Sequence, residues 1–327
     1  METTFNLKSG EIESKLSEYV KKGMTEFSLY DDEYANNKGK MLSFIKTVQT
    51  TSPDLFVSIV INPYILDMEI ARECTKINCS LEIPLEPAKN GFFDKKFFTR
   101  RATMLNNASL VFGFRLSYAD FEKDSLKFFK ERLDFAISQF PNHITFLQTE
   151  SSELSETAKV SQIFSAKEIR IARNIAFACR TFYSAGRAVP WFNTVLHALK
   201  ISSSTFFSDF SEWQRCNNCD FNSGFIPENL MHNEIEKMQL LFLQEKFEEK
   251  NKIHLFKALT DIVSLNGALS RLVSDGTESV LETEYNPEEI FSPESMDLSS
   301  FVNDVCMEHC TVKLFINDSG EPDFKVY

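Results

Sequence analysis

Residues 52–87 read SPDLFVSIVINPYILDMEIARECTKINCSLEIPLEP, and this stretch forms one strand–helix–strand unit. Leu55 to Ile61 is an almost unbroken apolar and β-branched run, the pattern of a strand buried on both faces of a parallel sheet. Pro63 ends it. Asp67 is placed to cap a helix whose Met68, Ala71 and Ile77 fall on one stripe. Cys79 to Leu85 is a second strand, bounded by Pro84 and Pro87. A crossover between parallel strands is almost always right-handed.

The same alternation extends both ways. Upstream, residues 3–7 predict a short strand, Glu11 to Lys22 an amphipathic helix ended by Gly23, Thr25 to Tyr30 a strand, and Lys38 to Thr50 a helix. Downstream, Phe92 to Asn107 predicts a helix and Leu110 to Leu116 a strand, with Gly113 where a side chain or ligand can approach closely. Ser125 to Gln139 predicts a helix and His143 to Leu147 the last strand. Six strands alternating with five helices over residues 1–150 give an α/β fold, a partial (β/α)6 TIM-like barrel of parallel strands. No Gly-rich phosphate-binding turn follows any strand.

Residues 151–164 form a polar Ser/Glu/Thr linker. Residues 165–310 then read as a mostly helical domain, opened by the capping box Ser165–Glu168. Glu228 to Val273 is one long helical stretch bent near Asn251. Residues 311–327 alternate around Asp318-Ser319-Gly320 as a C-terminal β-hairpin.

The chain has 327 residues, 43% of them apolar, enough for a large core, and 32 phenylalanines to fill it. A net charge of −12 argues against general nucleic-acid or acidic-membrane binding, because phosphates need clustered Lys and Arg. No run has the roughly 18–20 apolar residues of a membrane span. The polar start METTFNLKSG lacks the apolar core of a leader, and seven cysteines, an odd number, point to the reducing cytoplasm.

Two cysteine pairs carry possible chemistry: Cys216-Asn-Asn-Cys219 and Cys306-Met-Glu-His-Cys310. Four thiolates can close a tetrahedral zinc or an iron–sulfur site, with His309 able to replace one. The bland alternative is four small apolar core residues. In parallel α/β folds the working groups sit at the C-terminal strand ends. Those ends supply Asp31, Asp32, Glu33, Asn62, Glu82, Glu86, Arg115, Gln148 and Glu150 as candidates for substrate or cofactor binding. Their alternative role is to cap helices and solvate loops. No Ser–His–Asp order or HExxH occurs, and the five histidines are scattered.

The stretches 18–48 (EYVKKGMTEFSLYDDEYANNKGKMLSFIKTV), 54–73 (DLFVSIVINPYILDMEIARE) and 105–137 (LNNASLVFGFRLSYADFEKDSLKFFKERLDFAI) resemble the barrel of radical S-adenosylmethionine enzymes, more closely the family with an N-terminal cobalamin-binding domain. Residues 182–213 are similar to the helical extension of some members. The resemblance implies S-adenosylmethionine binding, with the end of the EFSLYDDEY strand contacting the methionine part. The family's cluster motif, Cys-x3-Cys-x-x-Cys after the first strand, is absent. The implied reading is a degenerate or split-enzyme subunit, acting in binding or with a partner that supplies the cobalamin or cluster domain. Two alternatives stand beside it: an active metalloenzyme using the cysteine pairs, and an acidic protein-interaction module.

Overall fold

The computed structural model describes residues 12–88, 92–120, 124–147 and 164–327. The chain divides into two compact units, Met1–Phe164 and Ser165–Tyr327. The strand expected at 3–7, most of the 151–164 linker, Gln148 and Glu150 lie outside the described residues.

In the first unit helices and strands alternate: α1 Ile12–Lys21, β1 Glu26–Leu29, α2 Asp32–Ala35, α3 Lys38–Thr51, β2 Phe56–Val60, α4 Met68–Cys74, β3 Cys79–Pro84, α5 Lys95–Asn107, β4 Val111–Leu116, α6 Leu126–Ile137 and β5 His143–Phe146. Local chemistry explains the starts. Asp67 accepts from the Glu69 and Ile70 backbone N–H groups, both at 3.1 Å, and caps α4 as its position foretold. Asn37, Asp94 and Ser125 cap α3, α5 and α6 in the same way.

The five strands form one parallel sheet in chain order, β1-β2-β3-β4-β5. Every crossover therefore steps in one direction, and right-handed crossovers of that kind put all the helices on one face. The helices touch in series, α1 with α3, α3 with α4 and α4 with α5, as one layer would. That layer covers Phe27, Leu29, Val57, Ile59, Leu81, Ile83, Phe112, Phe114, Ile144 and Phe146, each under 5% exposed. The opposite face carries Ser28, Ser58, Ser80, Glu82, Gly113, Arg115, His143 and Thr145, which the strand register sets side by side.

Two expectations change here. Among the described residues the sheet is open, five-stranded and not a closed barrel, with β1 and β5 each paired on one side only. And β2 is not buried on both faces. Val57 and Ile59 are fully buried, whereas Phe56 is 40% exposed and Ser58 and Val60 are half-buried. A single helical layer covers only one side, whatever the β-branched run suggests.

The second unit is helical around a phenylalanine core, with a small sheet. Ser165 and Glu168 form the expected capping box at the start of α7 Ala166–Cys179. The helix passes into a π-helical turn, Arg180–Ala185, and is followed by α8 Phe192–Leu199, α9 Ser203–Cys216, α10 His232–Glu249 and α11 Phe256–Asp275. The Phe182 ring packs against Phe206 at 4.8 Å and Phe210 at 5.0 Å, largely edge to face. The expected bend near Asn251 is a break. Asn251 adopts φ 53°, a left-handed conformation that asparagine tolerates, and a 3-10 turn at Ile253–Leu255 separates α10 from α11.

The tail strands β7 Cys310–Ile316 and β8 Pro322–Val326 pair antiparallel, and β6 Ser279–Thr283 adds a third strand in the order β6-β7-β8. The region before 310 is thus not wholly helical. Asp261 on α11 ties this sheet down by accepting from the Glu284 and Tyr285 backbone N–H groups at 2.8 and 2.9 Å. Burial pushes its carboxyl up to about 6.

Candidate functional site

Beyond the C-terminal ends of β1, β2 and β3 lies a cavity of about 540 Å³. Asp32, Asn36, Asn62, Tyr64, Glu86 and Phe98 contribute to its lining. Its size falls within the range of about 300–1,000 Å³ typical of small-molecule sites. Pro63, Pro84 and Pro87 also line it, so the prolines that end the strands shape the walls.

The residues around this mouth divide into structural and available groups. Asp31 is a helix cap, accepting from the Glu33 and Tyr34 backbone N–H groups at 2.8 and 3.2 Å. Glu33 is paired with Lys40. Asn62 donates to Asn36 Oδ1 at 2.6 Å and accepts from the Tyr64 backbone N–H at 2.9 Å, fixing the loop after β2. Tyr64 stacks on Phe97 at 4.7 Å, stays 65% exposed and lines the cavity. Asp32 and Glu86 bring two carboxylates to the same wall system.

Deeper in the sheet, on its polar face, Glu82 meets His143. Register pairs Glu82 on β3 with Gly113 on β4, and Gly113 with His143 on β5. The two side chains therefore reach across an intervening strand, a span of about 9.6 Å at 4.8 Å per strand. The imidazole lies over Gly113. A Cβ at that position would clash with the Nε2, Cδ2 and Cε1 atoms of the His143 ring. His143 Nε2 is paired with Glu82 Oε1. Glu82 is 5% exposed. Burial pushes its carboxyl up, but the hydrogen bond and charge of His143, with help from Thr145 and Arg115, outweigh that and hold it below its ordinary value. An ionised carboxylate only accepts, so Nε2 is the donor in the Glu82–His143 hydrogen bond.

Arg115 extends over the same face, its guanidinium 4.8 Å from the ring centre of Tyr30. Arg115 Nη1 and Ser80 Oγ are buried without a hydrogen-bond partner among the described residues. Behind the strand ends, the fully buried Arg132 donates to the carbonyls of Leu85 at 3.1 Å and Ser117 at 2.7 Å and pairs with Asp124, fastening β3 and β4 to α6.

The structure thus gathers Asp32, Asn62 and Glu86 around the mouth, and Glu82 and Arg115 on the face below. It does not gather the cysteines. Among the described residues no group of three His, Cys, Asp or Glu could hold a metal ion. Cys216 and Cys306 are exposed, whereas Cys219 and Cys310 are buried. The thiol of Cys219 donates to Gln214 O at 3.6 Å and that of Cys310 to Glu308 O at 3.1 Å, contacts with residues close by in the chain. Cys310 also sits at the start of β7, opposite Thr283. The residues present therefore do not fit a shared zinc or iron–sulfur site. Cys219→Ser is expected to cost about 1 kcal/mol or less and to leave the metal content of the purified protein unchanged, as elemental analysis would read.

His143 was not among the residues singled out from sequence. A signal was present: in strands read with period two, Glu82, Gly113 and His143 all fall on polar-face positions, and the glycine marks where a side chain crosses.

No helix among the described residues is long and apolar enough to cross a membrane. No protein-family model and no curated protein matches the chain. Among solved structures, the radical S-adenosylmethionine methyltransferase TsrM from Kitasatospora setae, with tryptophan substrate and the SAM analog aza-SAM bound, is similar at a TM-score of 0.35 and 8% identity. The similarity covers 41% of this chain and 28% of that one.

Proposed function

We propose that the first unit binds a small cationic organic molecule in the cavity at the ends of β1–β3, with S-adenosylmethionine the first candidate. In this reading the chain is a radical-SAM-like subunit without a cluster of its own. The observation that carries the proposal is the lining of the cavity, where the carboxylates of Asp32 and Glu86 face the same space as the rings of Tyr64 and Phe98. Carboxylates and aromatic faces together attract ammonium and sulfonium groups, and S-adenosylmethionine carries both. The sequence resemblance of residues 18–48, 54–73 and 105–137 favours the same ligand.

The sequence contains no Cys-x3-Cys-x-x-Cys, so radical chemistry is not assigned to this chain. A partner carrying a cobalamin or cluster domain supplies it. This chain's residues bind and orient: Asp32 and Glu86 balance positive charge, and Asn62 holds the loop that carries Tyr64.

Titration calorimetry of the full chain is expected to give saturable binding of S-adenosylmethionine. S-adenosylhomocysteine, which lacks the sulfonium charge, should bind more weakly. Asp32→Asn combined with Glu86→Gln should raise Kd about tenfold or more, equivalent to about 1.4 kcal/mol. Absence of saturable heat, or wild-type affinity in the double variant, would overturn the proposal.

A further inference from the structure

We infer that Cys79, with Cys74 beside it, is a redox modification site: a small hydroperoxide entering at the starts of β2, β3 and β4 oxidises Cys79, and Cys74 closes the product to a disulfide. The site lies at the other end of the sheet from the cavity of Asp32 and Glu86 and goes beyond the function proposed above.

Three observations converge. First, the turn between α4 and β3 brings the two cysteines together. The Ile77 backbone N–H donates to Cys74 O at 3.2 Å, and the chain doubles back so that the Cys79 thiol donates to the same carbonyl at 3.6 Å. Both thiols are free. Second, the two are not equally accessible. A cavity of about 450 Å³ is walled by Phe56, Ile77, Asn78, Leu110 and Val111, and Cys79 is part of its lining whereas Cys74 is not. Cys79 is 6% exposed and Cys74 fully buried. Hydrogen peroxide is little larger than water and fits such a space. Third, the thiols divide the roles between them. A hydrogen bond from Cys74 holds the Cys79 thiol below its ordinary value, although burial opposes. The same hydrogen bond, with burial, pushes the Cys74 thiol up. The thiolate is the nucleophile, so the sulfur that lines the cavity is also the one that ionises first.

The chemistry runs in two steps. The Cys79 thiolate attacks one oxygen of hydrogen peroxide. The S–O bond forms as O–O breaks, and the electron pair leaves on the second oxygen, which takes up the proton Cys79 released and departs as water. Cys79 is then a neutral sulfenic acid, and the negative charge that kept the proton on Cys74 is gone. The Cys74 thiolate attacks the Cys79 sulfur, S–S forms as S–O breaks, and hydroxide leaves with the Cys74 proton as a second water. Two thiols lose two electrons and peroxide gains them. The disulfide ties the end of α4 to the start of β3, and a thiol reductant reopens it.

Hydrogen peroxide added to the reduced full chain is the test, read by tryptic digestion and mass spectrometry. Cleavage after Arg72 and Lys76 separates the two cysteines into peptides 73–76 and 77–89. The treated protein should yield these two joined, lighter by about 2 Da than their sum, and dithiothreitol should part them. In Cys74→Ser the sulfenic-acid reagent dimedone should label 77–89. In Cys79→Ser peptide 73–76 should stay unlabelled. Where near-ultraviolet circular dichroism shows that a variant has not folded, brief alkylation of the unmodified protein decides the order of reactivity, with iodoacetamide expected on 77–89 before 73–76. The inference is overturned if Cys79 resists peroxide while the exposed Cys216 and Cys306 react. It is also overturned if Cys79 oxidises without joining Cys74, or if Cys74 is labelled first.

Discussion

Gly113→Ala should destabilise the first unit by about 3–5 kcal/mol at neutral pH, the cost of stripping a partner from a buried charge. The added methyl group would occupy space now filled by the His143 ring. Strand β4 cannot yield, because it is hydrogen-bonded on both sides, to β3 and β5. The imidazole must therefore leave, and Glu82, 5% exposed, loses the group that keeps it ionised.

The pH dependence identifies the cause. In the unmodified chain burial raises the Glu82 carboxyl, but His143 and its neighbours bring it net below the ordinary value. A depressed carboxyl contributes stability that is fully present above its unfolded pKa of about 4.3 and is lost as pH falls through the lower folded value. In Gly113→Ala the hydrogen bond and charge of His143 are lost, and burial, the largest contribution, is opposed only by the smaller effects of Thr145 and Arg115. The folded carboxyl then rises above its unfolded value, and stability declines as pH rises through it. The gap between the two proteins should thus widen from pH 4 to pH 7.5 in urea denaturation. An equal gap at every pH would mean that the alanine merely disturbs packing.

Arg132→Met should be comparably costly, about 3–5 kcal/mol. Arg132 is fully buried, and its guanidinium holds two backbone carbonyls and the Asp124 carboxylate. Asp124 in turn accepts from the Ala119 and Ser125 backbone N–H groups at 2.6 and 3.0 Å. Its carboxyl is already raised by burial, with Arg132 opposing. Removing the arginine leaves burial less opposed and raises it further, so the variant should lose still more stability as pH climbs. Adding Asp124→Asn removes the stranded charge while retaining an acceptor, and the double variant should be more stable than the two single losses summed. Strict additivity in denaturation measurements would show that the pair does not act as a unit.

Much of the first unit was legible because its apolar residues alternate with turn formers at a regular spacing. Leu81, Ile83, Phe112 and Phe114 announce strands, and Asp67 announces a helix start. Which face is covered was not legible from β2 alone. Val60 on the polar face looks as apolar as Ile59 on the covered one, and only the neighbouring Ser58, Ser80 and His143 reveal the difference. At the mouth, position along the chain picked out Asp32, Asn62 and Glu86, but it could not separate them from Asp31, whose oxygens serve the backbone. The Glu82–His143 pair spans 61 residues and needs the strand register to bring it together. The cysteine pairs show the opposite error. Two closely spaced pairs suggested one site, but among the described residues no group of three His, Cys, Asp or Glu could hold a metal ion, and Cys310 is taken up at the start of β7.

The strand order carries a consequence for how the protein is made. Each strand of the parallel sheet pairs with the one completed just before it: Val57 with Cys79, Ser80 with Val111, Gly113 with His143. No strand waits for a distant segment to be synthesised. Loop closure stays short at every step, which favours fast folding among parallel sheets, and chains are known to fold N-terminal parts first during synthesis. The unit can therefore grow on the ribosome one strand and one helix at a time. Only with the arrival of β5, and of His143 at its start, does the buried Glu82 already in place receive its counterpart.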